Sequence, residues 1–291
     1  MSLLSFIDIN FLNPLQSIPY QWYYSARKKY KPLNQEKREH HIVVSLTSFP
    51  ARFGSLHYAI KSILTQSMQP DVIFLCLAKD EIKDESALPS SILELKKYGL
   101  QIYFADENIK PHNKYYYAMK YYPDSIIITV DDDNMYDNTL IHDLYQSYLK
   151  YPNTVSARRV HKIIRDKNGI LMPYSKWLYE HKKETAPSFD LLATGVGGVI
   201  YPQGILPAEA FDIQKIKKLC LNADDIWLKF MELKNNIPVV WVKGHRIHPL
   251  NLKKAQKITL QKNNYHGNMN DAYTNALQDY YCLKLAPNLN G

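Results

Sequence analysis

The chain alternates short β-branched runs with segments whose apolar residues recur at helical spacing. Runs rich in Val and Ile, without regular polar alternation, are typical of strands buried on both faces of a parallel sheet. Four such alternations with short turns predict an α/β domain with a doubly wound sheet. The predicted strands cover 41–46, 71–77, 101–104 and 125–130, and the predicted helices cover 55–66, 112–122 and a segment around 92–95 that Gly99 ends.

The second half of the chain is less regular. The glycines Gly195, Gly197 and Gly198 lie together within 192–202 and would allow an unusual turn or close approach of the backbone to a ligand. We divide the chain into an N-terminal arm (1–40), a main α/β domain (41–250) and a basic, partly helical C-terminal extension (251–291). Further helices are predicted over 139–150, 224–233 and 270–285 and strands over 154–157 and 238–242, whereas 163–190 is too polar and loop-rich to assign.

Length and composition limit the class of protein. A chain of 291 residues with 46% apolar residues can form one large α/β domain or a domain with an appended lobe. Cys76, Cys220 and Cys282 are widely spaced, odd in number and set among apolar neighbours, which predicts reduced core residues and not a disulfide framework or zinc site. No stretch approaches the roughly 18 apolar residues of a membrane span. The apolar start carries Asp8 and Asn10 and lacks a basic leader, so we expect a cytoplasmic protein.

The net charge of +8 is unevenly distributed. Six basic residues between Arg27 and Arg38 face one acid, Glu36, and eight basic residues in 229–262 face only Glu232. Such surfaces fit nucleic acid, anionic lipid or a phosphorylated substrate. We disfavour nucleic acid because no helix-turn-helix, zinc finger or aromatic-plus-basic strand pattern is present.

The arm combines aromatic and cationic residues. Tyr20, Trp22, Tyr23 and Tyr24 precede the basic cluster, a composition found in anchors that bind the interface of an anionic membrane. The alternative is a solvated arm that packs on the domain through its aromatic rings. Both interpretations stay open, and the first would place the protein peripherally on the inner face of the membrane.

The sequence Asp131-Asp132-Asp133-Asn134, here called the acidic tetrad, follows the most apolar short run of the chain. In open α/β sheets, ligands bind beyond the carboxyl ends of the strands. Adjacent carboxylates at such an edge repel one another unless a cation or hydrogen-bond donors compensate them. Their hard oxygen atoms suit Mg²⁺ or Mn²⁺, ions that commonly bridge substrate phosphates. An ordinary acidic turn is the alternative, since Asp and Asn are frequent turn residues.

Four elements, taken in order, resemble the nucleotide-sugar glycosyltransferases of the GT-A fold, closest to the bacterial inverting enzymes of family 2. They are the strand end at 47–50, the helix 59–67 (similar to an A-I-x-S-I-L-x-Q pattern), the D-x-D strand 128–133, and the pair Asp224-Asp225 at a helix start. The resemblance covers roughly 41–245. Two departures stand out: Ala78-Lys79 replaces the usual aspartate after the second strand, and Asp224 stands where Glu is frequent.

The resemblance implies a GT-A-like, Rossmann-like and mostly parallel sheet flanked by helices. It also implies a metal-dependent, inverting enzyme of bacterial surface polysaccharide synthesis. The donor would be a nucleotide diphosphate sugar, UDP-linked, and the acceptor a glycan or a lipid-linked molecule. The implied cofactor is Mn²⁺ or Mg²⁺, with Asp133 as a direct ligand, Asp131 near the ribose or a water on the ion, and His245 or His248 as a further ligand.

The same resemblance assigns the remaining site residues. Asp225 is the candidate base for the acceptor hydroxyl, with Asp224 as its neighbour. A helix dipole would lower the basicity of Asp225, whereas the charge of Asp224 would raise it. Alternatively, the pair only favours a helix N-terminus. The candidate contacts to the nucleotide sugar are Thr47, Phe49, Arg52, Asp106, Lys114, Asp131 and Asp132, with Gly197 and Gly198 under the sugar.

Two other classes of function remain. A non-catalytic protein that binds glycans or membrane surfaces could use the same scaffold, although intact carboxylates in both acidic motifs argue against it. A nucleotidyltransferase also holds Mg²⁺ with acids at a sheet edge. Such an enzyme normally has a Gly-rich phosphate loop near the first strand, and 47–54 contains only one glycine, Gly54.

Overall fold

The computed structural model describes residues 13–168, 170–244, 249–252 and 269–282. Eleven strands occur in the described residues, and seven of them form the central sheet. In chain order they are β1 (Ile42–Thr47), β2 (Val72–Ala78), β3 (Leu100–Ala105), β4 (Ile126–Thr129), β5 (Asn134–Met135), β6 (Val155–Ala157), β7 (Val160–Lys162), β8 (Leu191–Ala193), β9 (Val199–Tyr201), β10 (Val239–Trp241) and β11 (Leu250–Asn251).

The predicted helices 55–66, 112–122, 139–150 and 224–233 are present, with bounds that agree to within three residues. Two further helices, Asn13–Ala26 and Ile213–Leu219, were not predicted. Gly99 ends its helical segment in a left-handed conformation, as predicted. The helices are α1 (Asn13–Ala26), α2 (Phe53–Ile63), α3 (Ser90–Leu93), α4 (Asn113–Tyr121), α5 (Leu140–Lys150), α6 (Ile213–Leu219), α7 (Asp224–Lys234) and α8 (Met269–Tyr281), and short 3₁₀ turns include Pro50–Arg52, Glu94–Tyr98 and Gly195–Gly197.

The central sheet has the order β10-β6-β9-β4-β1-β2-β3. Strands β1 to β4 are parallel, as predicted, and β6 is parallel to β10. Strand β9 runs antiparallel to both of its neighbours, so the sheet is mostly and not wholly parallel. Because Val199 at the start of β9 pairs with Thr129 at the end of β4, the glycine turn before β9 lies beside the acidic tetrad. The predicted fold class, a mostly parallel α/β sheet flanked by helices, is confirmed.

The central strands are buried on both faces, which explains their apolar sequences. Along β1, Val44 and Leu46 face a hydrophobic cluster that includes Ile60 of α2. Val43 faces the opposite cluster, where Ala118 of α4 packs. A polar residue at either position would lose its hydration without a guaranteed partner, so neither face of the strand tolerates regular polar alternation.

The N-terminal arm packs on the α/β domain. The Asn13 side chain donates to the Pro249 carbonyl at 3.0 Å and accepts from the Asn251 amide at 2.7 Å. The Tyr24 hydroxyl lies 3.1 Å from the Thr65 hydroxyl, and Leu33 joins the core. Tyr24 is buried, as the packing interpretation expects, whereas Tyr20, Trp22 and Tyr23 are exposed, so membrane association of the arm stays a prediction. The division at residue 40 also stays a prediction. None of the described helices is long and apolar enough to span a bilayer.

The cysteines agree with the sequence only in part. Cys76 and Cys220 are buried and free, as predicted. Cys282 is exposed, so its predicted place in the core is wrong. It directly follows the end of α8 and has φ +50°, outside the regular helix whose buried residues include Leu277.

Gly99 tests the packing of the arm on the sheet. A Cβ there would lie 2.5 Å from the Leu33 side chain, and φ is +104°. We expect Gly99→Ala to lower the free energy of unfolding by about 1–3 kcal/mol. Gly54→Ala is the matched control because its Cβ would meet nothing within 4 Å inside α2, and it should stabilise by up to about 1 kcal/mol. Urea denaturation measures both, and equal effects would contradict the account.

Candidate active site at the carboxyl edge of the sheet

The acidic tetrad leaves β4 next to the end of β1. The Val130 amide donates to the Ser45 carbonyl at 3.0 Å, which keeps the two chains together beyond the last strand residue. The Asp131 amide then donates to the Tyr136 hydroxyl at 2.8 Å. These bonds fix the backbone of the tetrad, so its carboxylates point in defined directions from a rigid sheet edge.

Asp132 and Arg52 form the inner part of the site. Ser48 donates to one oxygen of Asp132 at 2.5 Å, and Arg52 donates to the other. The same guanidinium lies 3.2 Å from Asp133 and packs over the Phe49 ring at 5.2 Å. Burial raises the pKa of Asp132, against the opposing effect of Arg52. Asp132 thus has both oxygens occupied and holds Arg52 beside Asp133.

Lys114 joins the two acidic motifs. Its ammonium group is buried on α4 and lies 2.9 Å from Asp131 and 3.0 Å from Asp224 at the start of α7. Burial alone would lower the pKa of Lys114, but Asp131, Asp224 and Asp225 outweigh it and hold this pKa well above its usual value. Lys114 is therefore a charged, desolvated bridge between residues that are far apart in the sequence.

Asp225 lies on the other side of this bridge. Its carboxylate accepts a hydrogen bond of 3.0 Å from the Gly195 amide. The N-cap of α7 is Ala223, and no side chain caps that helix end, so Asp225 is held by Gly195 and not by its own helix. Burial, followed by the charge of Asp224, raises the pKa of Asp225 to about 8, against Lys114. The sequence left open whether the helix dipole would lower the pKa of Asp225 or the charge of Asp224 would raise it. Desolvation is the largest effect, and the pKa is raised.

The site carries more negative than positive charge. Five carboxylates, three from the tetrad and two from α7, are balanced in the described ion pairs by only two cations, Arg52 and Lys114. Burial and the neighbouring acids raise the pKa of Asp133 to about 7 despite Arg52. Asp132 and Asp224 are buried, whereas Asp131, Asp133 and Asp225 are partly exposed. The uncompensated charge therefore faces the opening of the site.

The residues fit a hard divalent cation in charge and donor chemistry. Asp131 and Asp133 offer carboxylate oxygens at the accessible side, which is the donor type that Mg²⁺ and Mn²⁺ prefer. Within the described ranges, no three His, Cys, Asp or Glu side chains already converge as a metal site. The candidate ligands His245 and His248 lie outside the described residues.

Gly195 is a site residue that the sequence did not distinguish from its neighbours. A Cβ at Gly195 would lie 2.6 Å from the Lys114 ammonium and 3.2 Å from Asp131. Gly197 instead makes room for the backbone of Arg159, and Gly198 has φ +85° and packs against Leu140. The glycine against the carboxylates is thus Gly195. Gly197 and Gly198 are also required by packing and backbone conformation, and their predicted place under the sugar stays a prediction. Ser48 was also missed, since a serine in a turn carries no distinctive signal.

The remaining candidates form the rim. The Thr47 hydroxyl donates to the Cys76 carbonyl at 2.8 Å, which ties the ends of β1 and β2 together. Asp106, just beyond β3, is exposed and pairs with Lys79 at 2.5 Å. Because β1, β2 and β3 are parallel, these residues share the sheet edge with the tetrad, and their predicted contacts to a nucleotide stay predictions.

Comparisons with known proteins support the fold. No protein-family profile and no curated protein sequence matches the chain. Among solved structures, a mannosyltransferase from Pyrobaculum calidifontis, in complex with GDP-Man and Mn²⁺, matches with TM-score 0.51 and 10% identity over 98% of this chain and 76% of its own. The chain has a GT-A-like fold.

Two further structures match the GT-A-like domain more loosely. One is 4-diphosphocytidyl-2C-methyl-D-erythritol synthase from Anaerococcus prevotii, with TM-score 0.46 and 14% identity over 79% of this chain and 96% of its own. The other is residues 1–349 of TarS from S. aureus, with TM-score 0.42 and 15% identity over 68% of this chain and 57% of its own. The assignment to family 2 stays a prediction.

The raised pKa of Asp225 predicts a pH-dependent stability. Its folded-state pKa of about 8 exceeds the unfolded value near 3.9, so the unfolded state binds fewer protons between these values and stability falls as pH rises through this window. Asp225→Asn removes that loss and should raise the urea midpoint more at pH 8.5 than at pH 5.

Asp84→Asn is the control with the opposite sign. Hydrogen bonds from Ser86 lower the pKa of the exposed Asp84 carboxyl, so this replacement should not stabilise at high pH. If Asp225→Asn shifted the urea midpoint equally at both pH values, Asp225 would not be the carboxyl whose ionisation opposes folding.

Proposed function

We propose that the chain is a glycosyltransferase that uses a nucleotide diphosphate sugar, UDP-linked by resemblance, and acts in bacterial surface polysaccharide synthesis. The acceptor would be a glycan or a lipid-linked molecule. The observation that carries the proposal is the convergence of the acidic tetrad and the Asp224-Asp225 pair on the single buried ammonium of Lys114. In sugar transfer, the acidic tetrad would hold the cation that neutralises the diphosphate of the donor, and the Asp224-Asp225 pair would supply the base for the acceptor hydroxyl.

The accessible carboxylates of the tetrad would receive the donor. Mn²⁺ or Mg²⁺ bound by Asp133 and Asp131 would neutralise charge that grows on the leaving diphosphate. Arg52 holds Asp133 in place, and Lys114 holds Asp131. His245 or His248 would be a further ligand.

Asp225 would accept the proton of the acceptor hydroxyl. A pKa of about 8 makes its carboxylate a stronger base than an ordinary aspartate, and a base works best when its pKa lies near the working pH. Gly195 orients the group through its amide hydrogen. A base opposite the leaving diphosphate implies direct displacement, so the sugar would be transferred with inversion at its anomeric carbon.

Lys114 and Asp224 would act through their neighbours. Lys114 lies between Asp131 on the donor side and Asp224 on the acceptor side. Its positive charge would reduce the repulsion between these two carboxylates. Asp224 raises the pKa of Asp225 and holds Lys114 in place. We assign both residues a positioning role.

The donor nucleotide would lie on the rim. Thr47, Phe49 and Arg52 follow β1, and Asp106 follows β3, at the edge where α/β sheets bind ligands. The alternative of a nucleotidyltransferase is less well supported by this segment. Such an enzyme normally has a Gly-rich phosphate loop after its first strand. In this chain, β1 is followed by the 3₁₀ turn Pro50–Arg52, and Arg52 forms ion pairs with Asp132 and Asp133.

A nucleotide-sugar assay tests the proposal. The full chain, incubated with a panel of nucleotide sugars and Mn²⁺, should release the nucleoside diphosphate slowly by hydrolysis. Chelation of the metal should abolish the release. Asp225→Asn retains size and should lower transfer or hydrolysis by roughly 10²- to 10⁴-fold, the usual contribution of a general base, with little change in donor affinity.

Asp124→Asn is the control for Asp225→Asn. Asp124 is exposed before the start of β4, at the opposite edge of the sheet, so its replacement should leave turnover unchanged. Release of pyrophosphate from a nucleoside triphosphate would favour the nucleotidyltransferase instead. No turnover with any nucleotide would favour the non-catalytic binding protein.

A further inference from the structure

The helix α1 packs on the domain largely through polar residues and exposes most of its apolar residues. Its buried face consists of Asn13, Ser17 and Tyr24, which are 4%, 0% and 5% exposed. With about 100° per residue, Leu15, Ile18 and Trp22 lie on the opposite face, and they are 51%, 40% and 77% exposed. The polar contacts of Asn13 and the buried Tyr24 ring thus hold α1 to the domain, while Leu15, Ile18 and Trp22 point away.

We define the exposed apolar face of α1 as Leu15, Ile18 and Trp22. Single exposed apolar residues are ordinary, but three on one helix face form a continuous surface that water solvates poorly. A helix that turned this face to the core would leave Asn13 unable to bond Pro249 and Asn251. The exposed apolar face is therefore an expected contact surface and not a packing error.

A cavity of about 530 Å³ opens at the carboxyl end of α1, between that helix, α2 and the 3₁₀ turn Glu94–Tyr98. We call it the cationic pocket. Ser25 lines it one turn after Trp22, so the pocket adjoins the exposed apolar face. Its cationic residues are Arg27, Lys28, Lys61 and Lys97, and Glu94 is its only acidic lining residue. Burial, with the charge of Lys61, lowers the pKa of His57 to about 4, so the His57 ring is uncharged.

The groups inside the cationic pocket lack compensating negative charge. Burial lowers the pKa of Lys61, and Glu94 offsets this only in part. In the described part of the chain, the buried Nδ1 of His57 has no hydrogen-bond partner. A phosphate group would accept hydrogen bonds from the lysine and arginine side chains of the lining and would neutralise their excess positive charge.

An anionic membrane surface matches both features together. Interfacial helices bury an apolar face near the headgroups, and adjacent cations attract anionic lipids. Free phosphate would fit the cationic pocket but would leave the exposed apolar face without a partner. Nucleic acid would fit the charge but offers no apolar phase for Leu15 and Ile18.

We propose that α1 lies on an anionic membrane with its exposed apolar face in the interface and a lipid phosphate in the cationic pocket. This inference is independent of the proposed sugar transfer. It also orients the candidate active site. Asn13 at the start of α1 bonds Asn251, which pairs with Asn134 directly after Asp133. The helix that would rest on the membrane thus begins beside the strand that follows the acidic tetrad.

Vesicle sedimentation of the full chain, without nucleotide or metal, tests the proposal. The protein should sediment with vesicles of phosphatidylcholine and phosphatidylglycerol, and weakly with phosphatidylcholine alone. Lys28→Ala with Lys97→Ala should weaken anionic binding on the order of 30-fold at low salt, since each cation contributes roughly 5-fold, and salt should reduce the difference. Lys217→Ala with Lys218→Ala on α6 removes the same charge elsewhere and should change little.

Tryptophan fluorescence tests the exposed apolar face separately. Trp22 is the most exposed tryptophan, since Trp177 and Trp227 are buried and Trp241 is partly buried. Brominated lipids should quench wild-type emission. Trp22→Phe should still sediment but lose the quenching, whereas Ile18→Ser with Trp22→Ser should lose sedimentation. Leu149→Ser with Ile170→Ser is the control, because both residues are exposed and apolar but lie outside α1.

Four results would overturn the proposal. They are absence of sedimentation with any vesicle, equal binding to neutral and anionic vesicles, equal losses in the control variants, and unquenched emission from vesicle-bound protein. Titration with inorganic phosphate is the further arm. Phosphate binding that Lys28→Ala with Lys97→Ala removes, without vesicle binding, would assign the cationic pocket to a free phosphate, and capture of single-stranded RNA in place of vesicles would assign it to nucleic acid.

Discussion

The buried ammonium of Lys114 is the interaction on which the arrangement of the site depends. It bridges the end of β4 to the start of α7 through Asp131 and Asp224. A buried charge without partners would be strongly unfavourable, so Lys114 constrains both acidic motifs to remain within contact distance. The antiparallel β9 has the same consequence from the other side, because its preceding glycine turn brings the Gly195 amide to Asp225.

This constraint leaves the site short of positive charge at its opening. Arg52 and Lys114 form ion pairs with the buried Asp132 and Asp224, whereas burial and the neighbouring acids raise the pKa of Asp133 and of Asp225. Under the proposed function, such a site would exchange protons for a divalent cation and the diphosphate of the donor. Burial raises the pKa of Asp133, where the proposed cation would bind, and also the pKa of Asp225, which makes its carboxylate a stronger base. Desolvation would therefore contribute to both donor binding and proton transfer in the proposed reaction.

The order of strands and helices could be predicted from the sequence because buried parallel strands and amphipathic helices leave different periodicities. The direction of β9 could not, since a three-residue strand has no directional signal. Among the site residues, Asp131, Asp133, Lys114 and Asp225 could be named from the resemblance, but the roles of Asp132 and Gly195 depend on contacts across the fold. That α1 packs through polar residues and exposes apolar ones could not be predicted either, because the composition of the arm does not show which helix face packs on the domain.

The measurement that tests the electrostatic account most directly is an NMR titration of the aspartate carboxyl carbons, with Asp133→Asn and Asp225→Asn used for assignment. The account predicts that without a divalent cation Asp133 and Asp225 titrate at about 7 and about 8. Mg²⁺ with a nucleoside diphosphate should lower the pKa of Asp133, since a bound cation favours the carboxylate. If both carboxyls titrated near the ordinary aspartate value of about 3.9 without a cation, burial and the neighbouring acids would not control their ionisation and the account would be wrong.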